Sequence, residues 1–397
     1  MIYKTIDYRF LILGLAAFLS GANLRVFDSI LPNIAINFQS SNADASIVVA
    51  AFTLAYGLSQ VLYGPLGDKF GRIKIVTIAT TIVSIGSIGS ALSTNLDQLT
   101  LLRLISGIGA AGIIPVSLAW IGDNTSYEDR QTSLGKFITF ILLGQILGPT
   151  LGGLLTEIGS WRLIFYLFSV IFFITTILLI LIQKREGVLG AGKSYIKAPQ
   201  KPFFAYSDIL KDHWCRTVLI VVHIEGALFY GSFAFVGVWI ERATDLNYIL
   251  IGLLLSGFGL GGVLYAMSIK ILLTRLGELG FTITATVILF IFFVLLPYLE
   301  STILIGIFCV LGGYGFYMLH NTLQTKASEM FPSMRGTAIS IFAMSLFSGQ
   351  AIGTIIFGQI SEKYSYEASF TFVGILLLTL GITFSYMLKK QLNRARD

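Results

Sequence analysis

The chain has 397 residues, of which 55% are hydrophobic and only 12% charged, with a formal net charge of +6. Soluble globular proteins carry about twice that charged share, so this chain could not cover itself with polar surface in water; a bilayer as solvent removes the need. The two cysteines, Cys215 and Cys309, sit in apolar segments without metal-ligand spacing, which argues against a disulfide framework or a zinc site.

Twelve apolar stretches follow one another, at 10–37, 46–64, 74–93, 98–121, 134–157, 161–183, 215–240, 247–271, 279–298, 302–325, 336–359 and 367–388. Each reaches the roughly 20 residues that a helix needs to cross hydrocarbon. The expected fold class is all-α integral membrane, with twelve transmembrane helices. The first stretch is not a cleaved signal: it is too long, it contains Arg25 and Asp28, and further spans follow. Of the 27 Lys and Arg residues, 22 fall in the segments on one side, together with both termini. Only Arg162, Arg242 and Lys363 fall on the other side, and Arg25 and Arg103 lie within spans. The positive-inside rule then puts both termini in the cytoplasm of a cell (inner) membrane. The bases orient the chain; no segment interleaves bases and aromatics as a nucleic-acid surface does.

Span one carries Arg25 and Asp28, three apart and so on one helix face. Two ionisable residues at mid-span imply a polar cavity on that face. After span two comes Gly64-Pro65-Leu66-Gly67-Asp68-Lys69-Phe70-Gly71-Arg72-Ile73-Lys74, read as a tight turn. Its glycines permit a sharp reversal, and Asp68 can pair with Arg72 or accept from a helix start; the alternative is a turn whose charges only set topology. Span four contains Arg103, expensive in a bilayer and expected to face a cavity or an acid. Its depth matches that of Asp28, so an Arg103–Asp28 pair is expected, with a static salt bridge or an arginine reaching the headgroups as alternatives. In span five, Gly144, Gly148 and Gly152 recur every four residues and form a flat packing strip. Gly153 follows, and Pro149 bends the helix.

A basic segment at 184–214 separates two sets of six spans, with a short surface helix expected at 203–210. Beyond it, span seven carries His223 and Glu225, and span ten carries His320, Asn321 and Gln324. These polar groups bind substrate, relay a proton or are satisfied inside the bundle. His223 and Glu225, two apart, point to different sides and are not one site. Tyr230, Phe233, Phe235 and Trp239 line an apolar pocket or, as such residues more often do, face lipid. No Gly-rich nucleotide loop occurs, so no cofactor, metal or enzymatic activity is expected.

The two sets repeat. Residues 56–63 match 258–265 at an offset of 202, and Arg130, Thr132, Phe137, Gly144, Gln145 and Gly148 recur 205 positions later as Arg335, Thr337, Phe342, Gly349, Gln350 and Gly353. Span n thus pairs with span n+6, a parallel repeat about an axis along the membrane normal. The offset of 202 places Lys270 against Asp68 and leaves the second copy of the loop without its glycines and arginine.

The loop at Gly64–Arg72 resembles the signature loop between the second and third helices of the major facilitator superfamily. Arg103 with the small-residue run Ser106-Gly107-Ile108-Gly109, and the span-five segment 144–153, resemble two further motifs of that family. The acid in span one resembles its twelve-span drug:proton antiporters. The resemblance implies two six-helix lobes, 1–183 and 215–397, joined by a cytoplasmic loop at 184–214. It implies alternating access, with Asp68 latching the lobes in one state and the bent span five favouring export. Expected is proton-coupled efflux of a small, partly apolar compound by a monomer, with consequences for drug resistance. A symporter or facilitator importing a sugar, carboxylate or other metabolite is the alternative, and a lipid flippase or a sensor is the third reading. Asp28, Arg103, Arg25 and Glu225 are the candidates for proton coupling; His223, His320, Asn321, Gln324 and Tyr230 are those for the substrate cavity.

Overall fold

The computed structural model describes residues 8–189, 202–330 and 335–394. Residues 190–201 of the basic segment expected to join the halves lie outside these residues. Every long element described is a helix, because a segment in hydrocarbon must satisfy its own backbone groups. Where the helices begin, short polar side chains cap them: Ser41 accepts from the Asp44 N–H, Asn95 from Gln98, Ser126 from Asp129 and Asn247 from Leu250. Asp212 does the same at the start of span seven. The Cys215 backbone N–H bonded to it holds its carboxyl below the usual range.

Among the described residues, ten helices are long and apolar enough to cross a membrane, and an eleventh crossing is the bent pair Tyr8–Arg25 and Phe27–Asn37. The 51-residue segment Tyr248–Tyr298 is broken at Gly277 and covers the predicted spans eight and nine. Counted so, the spans are twelve, in the predicted order. The short helix Pro202–Lys211 stands where one was expected, between spans six and seven. Cys215 and Cys309 are buried free thiols.

Span one bends by 52° at Val26, between Arg25 and Phe27. Span four is interrupted at Ala111–Gly112. Span seven widens to a π turn at Gly226–Tyr230, immediately after Glu225. Such turns inside α-helices cluster at functional sites.

The structure corrects the reading of the signature loop. Span two remains helical from Asn42 to Phe70, through Pro65, and the turn is Gly71 alone. Proline lacks an N–H, so Pro65 leaves the Val61 carbonyl without its helical donor. The Tyr206 hydroxyl of the linker helix donates to that carbonyl at 3.2 Å. Gly71 takes φ 96°, a region that only glycine adopts without strain.

The second copy of the turn is also not lost. It lies at Gly277, with φ 62° and ψ 173°, followed by Glu278 at the head of span nine. Span eight starts at Tyr248 and span two at Asn42, so helix starts and turns are both 206 positions apart. The 202-residue match was one helical turn short. A slip of about four residues returns the same face of a helix, so the apolar pattern does not detect it.

The halves meet along spans two and eleven and along spans five and eight. At one end of the bundle the contact is made twice over. Glu157, at the end of span five, accepts from the Tyr248 backbone N–H at 3.1 Å, in the first turn of span eight. Glu362, at the end of span eleven, accepts from the Ala43 N–H at 3.0 Å, in the first turn of span two.

Candidate functional site

Where the halves meet at mid-depth, the bend in span one presents Arg25 and Asp28, 3% exposed each. Arg25 Nε lies 3.1 Å from Asp28 Oδ2. The contact is an ion pair without hydrogen-bond alignment, so Asp28 Oδ2 and Arg25 Nη2 both keep unused bonding capacity. Three rings of the second half cover the guanidinium, with centroids at 4.7 Å (Tyr230), 4.9 Å (Phe258) and 5.0 Å (Phe233). The ring quadrupole stabilises a cation that has left water. Ser29 donates to the Pro149 carbonyl at 2.7 Å and so ties this bend to span five.

The expected Arg103–Asp28 pair is not formed. Arg103 is 1% exposed and donates through Nη1 to Asn23 Oδ1 at 2.5 Å and through Nη2 to the Asn23 carbonyl at 3.3 Å. Phe52, Phe27 and Phe165 surround it, with the Phe52 centroid at 4.0 Å. Its partner sits five positions before Asp28, about 7.5 Å along the helix. Arg103 is thus held wholly within the first half.

In the second half, Glu225 and His320 come together. Their Oε2 and Nδ1 atoms are 3.0 Å apart, Glu225 is fully buried, and its Oε1 has no partner. His320 lies parallel to Phe316, with centroids 5.2 Å apart. His223 turns away as expected, with Nδ1 at 3.1 Å from the Ser345 carbonyl and 3.3 Å from the Ser348 hydroxyl. Asn321 is half-buried beside His320, and Gln324, one turn on, is exposed. Tyr230, Phe233, Phe235 and Trp239 are all buried, so they face the interior of the protein and not lipid.

Sequence reasoning passed over Asn23, Phe258, Phe316 and Tyr317. The Tyr317 hydroxyl donates to Gln145 Oε1 at 2.9 Å and bridges span ten to span five. The available signal for Tyr317 is spacing, three residues before His320 and so on its face of the helix.

The span-five glycines work in two directions. A Cβ on Gly144 would lie 2.0 Å from the Phe18 carbonyl oxygen of span one, and one on Gly153 would lie 2.0 Å from the Tyr248 carbonyl oxygen of span eight. Gly148 and Gly152 likewise lie against Ala22 and Val26 of span one, and Pro149 lies against Gly252 of span eight. The strip packs the bent span one on one side and the other half of the molecule on the other.

Around the signature turn, Arg72 reaches Asp68 at 2.5 Å and Asp123 at 3.3 Å. A Cβ added at Gly64, at the other end of that motif, would meet nothing within 4 Å. At the second turn, Lys326 of span ten reaches Glu278 at 3.0 Å and Glu329 at 3.5 Å. Asp68 therefore bonds within its own half in this state.

Comparisons agree with this architecture. Residues 13–354 match the Major Facilitator Superfamily. The MFS-type transporter YwfA of Bacillus subtilis is 23% identical over 374 residues, covering 94% of this chain and 89% of that protein. The multi-drug resistance efflux pump PmrA of Streptococcus pneumoniae is 24% identical over 361 residues, covering 89% of each. Among solved structures, the nucleoside transporter NupG superposes with a TM-score of 0.77 at 16% identity, over 96% of this chain and 100% of that one. A bacterial homolog of the human lysosomal transporter Spinster, in an inward-facing and unoccupied conformation, gives 0.74 at 17%, over 96% and 95%. With twelve spans in two parallel repeats and this match over most of its length, the chain belongs to the major facilitator superfamily, as a multi-pass membrane transporter and not an enzyme.

Proposed function

We propose that this transporter exports a small, partly apolar compound in exchange for protons. The observation that carries the reading is the Arg25–Asp28 pair, buried at the bend of span one and covered by three aromatic rings of the other half. In a buried ion pair each charge offsets the cost of burying the other, so the proton on Asp28 sets the cost of the whole site. A proton on Asp28 also frees Arg25 from its counter-ion. The guanidinium is then a buried cation without its counter-ion, which destabilises this arrangement at the point where the halves rock against each other.

The 22-to-3 distribution of bases supports a cytoplasmic N-terminus. In that orientation the contacts of Glu157 and Glu362 lie at the outer face. The multidrug efflux relatives and the Gly-Pro strip in span five support export. Arg103, bonded to Asn23, braces span one against span four. The test uses inside-out vesicles with an imposed pH gradient, read by a pH-sensitive dye, and a panel that includes ethidium. A transported compound should collapse the gradient with the native protein and leave it intact with Asp28→Asn. Full gradient-driven transport by Asp28→Asn would overturn the role of that residue, and movement of compound and protons in one direction would overturn export.

A further inference from the structure

We propose that Glu225 and His320 form a second proton-carrying site, in the half of the molecule opposite Asp28. The inference rests on the proton-coupled reading above and adds a site to it. Glu225 is the last α-helical residue before the π turn of span seven, and nothing of it is exposed. One carboxylate oxygen meets His320 Nδ1 at 3.0 Å, and the other has no partner. With neutral imidazole, an ionised Glu225 would be a buried net charge held by one hydrogen bond, an arrangement of high cost. One added proton cancels that charge, whether the pair is then written as imidazolium and carboxylate or as imidazole and carboxylic acid.

Exposure decides what the site can take. The Glu225 side chain is 0% exposed and the His320 side chain 14%. A cargo molecule has no route to the spare oxygen, whereas a proton has one through the ring. Water delivers a proton to the open ring nitrogen, and the proton on Nδ1 passes to Glu225 Oε2. Release runs the same two transfers backwards, and nothing else is consumed.

The surroundings leave this pair to set its own charge. Lys326, six residues beyond His320, is engaged by Glu278 and Glu329. Span eleven carries its charges towards its ends, at Arg335, Glu362 and Lys363, and span twelve at Glu367, Lys389 and Lys390. In the linker helix, Asp208 pairs with Lys211. On span seven itself, His213 and Arg216 lie at the far end and His223 bonds to span eleven. Among the described residues, the ring contacts of His320 lead to the first site. His320 stacks on Phe316, Phe316 lies 4.6 Å from Tyr230, and Tyr230 covers Arg25 at 4.7 Å. Two rings thus separate the sites.

Infrared difference spectroscopy of the whole protein in lipid, titrated with pH, reads protonated buried carboxyls through their carbonyl stretch and needs no cargo. The native protein should show two such bands. Glu225→Gln should remove one and Asp28→Asn the other. His320→Gln should move the pH at which the Glu225 band appears and leave the Asp28 band in place. A Glu225→Gln spectrum identical to the native one overturns the proposal while an Asp28 band keeps the first reading intact. Loss of neither band in either variant overturns both. If Glu225→Gln does not fold, His320→Gln decides: no shift of either band overturns the second site.

Discussion

The two ends of the bundle repeat themselves in different ways. At one end Tyr248 lies 205 positions after Ala43, and Glu362 lies 205 after Glu157, so an acid caps a helix of the other half twice with the same residue type. At the other end the turns both rest on a glycine with positive φ, Gly71 and Gly277, and carry opposite charges. Arg72 heads span three and meets Asp123, whereas Glu278 heads span nine and meets Lys326. The reason lies in the partners. The free N–H groups and the dipole of a helix start have a fixed sign, so only an acceptor or anion satisfies them. A side-chain pair works with either polarity if both members change. Identity persists where the partner is backbone and drifts where the partner is another side chain.

The largest expected effect tests what the two turns share. Gly71→Ala and Gly277→Ala force an L residue into glycine-only backbone. Each should lower stability by about 1–3 kcal/mol, seen as an earlier thermal unfolding midpoint, and equal losses would show that the turns are equivalent despite their charges. Next come the caps. Each is worth about 1 kcal/mol, so Glu157→Ala with Glu362→Ala should shift the balance away from the closed end by roughly thirtyfold. Spin labels at the exposed positions Ile36 and Tyr364 should then report longer distances across that end. An unchanged distance distribution would show that the caps do not hold it. The smallest effect separates the two kinds of contact. Glu278→Lys should cost about 1 kcal/mol, since Glu278 is partly solvated, and adding Lys326→Glu should recover part of it. No second side-chain change should rescue Glu157→Lys, because its partner is a backbone N–H.

Much of this was legible in the sequence. The twelve spans, the parallel repeat and the separation of His223 from Glu225 follow from hydropathy and helical spacing. The site itself was legible only in part. Depth along a helix can be counted, so Arg103 and Asp28 were placed at compatible levels. The side each faces depends on the 52° bend at Val26, which spacing does not encode. Asn23, not Asp28, therefore meets Arg103. The glycines and the proline of the signature segment point to a loop. The helix continues through Pro65 because the Tyr206 hydroxyl, 141 positions away, serves the Val61 carbonyl. Glu225 and His320 were each noticed, but their meeting depends on how spans seven and ten pack.

The π turn at Gly226–Tyr230 has a consequence for the length of span seven. A π turn holds one residue more than the α turn it replaces, so span seven carries a spare residue between Glu225 and Gly231. Removing one residue elsewhere in a span would swing everything beyond it by about 100° and take its aromatics off their partners. Removing one inside this turn would let it relax to an ordinary α turn, with Phe233, Val236 and Trp239 still facing as they do. The segment is a length tolerance built into the helix that carries Glu225.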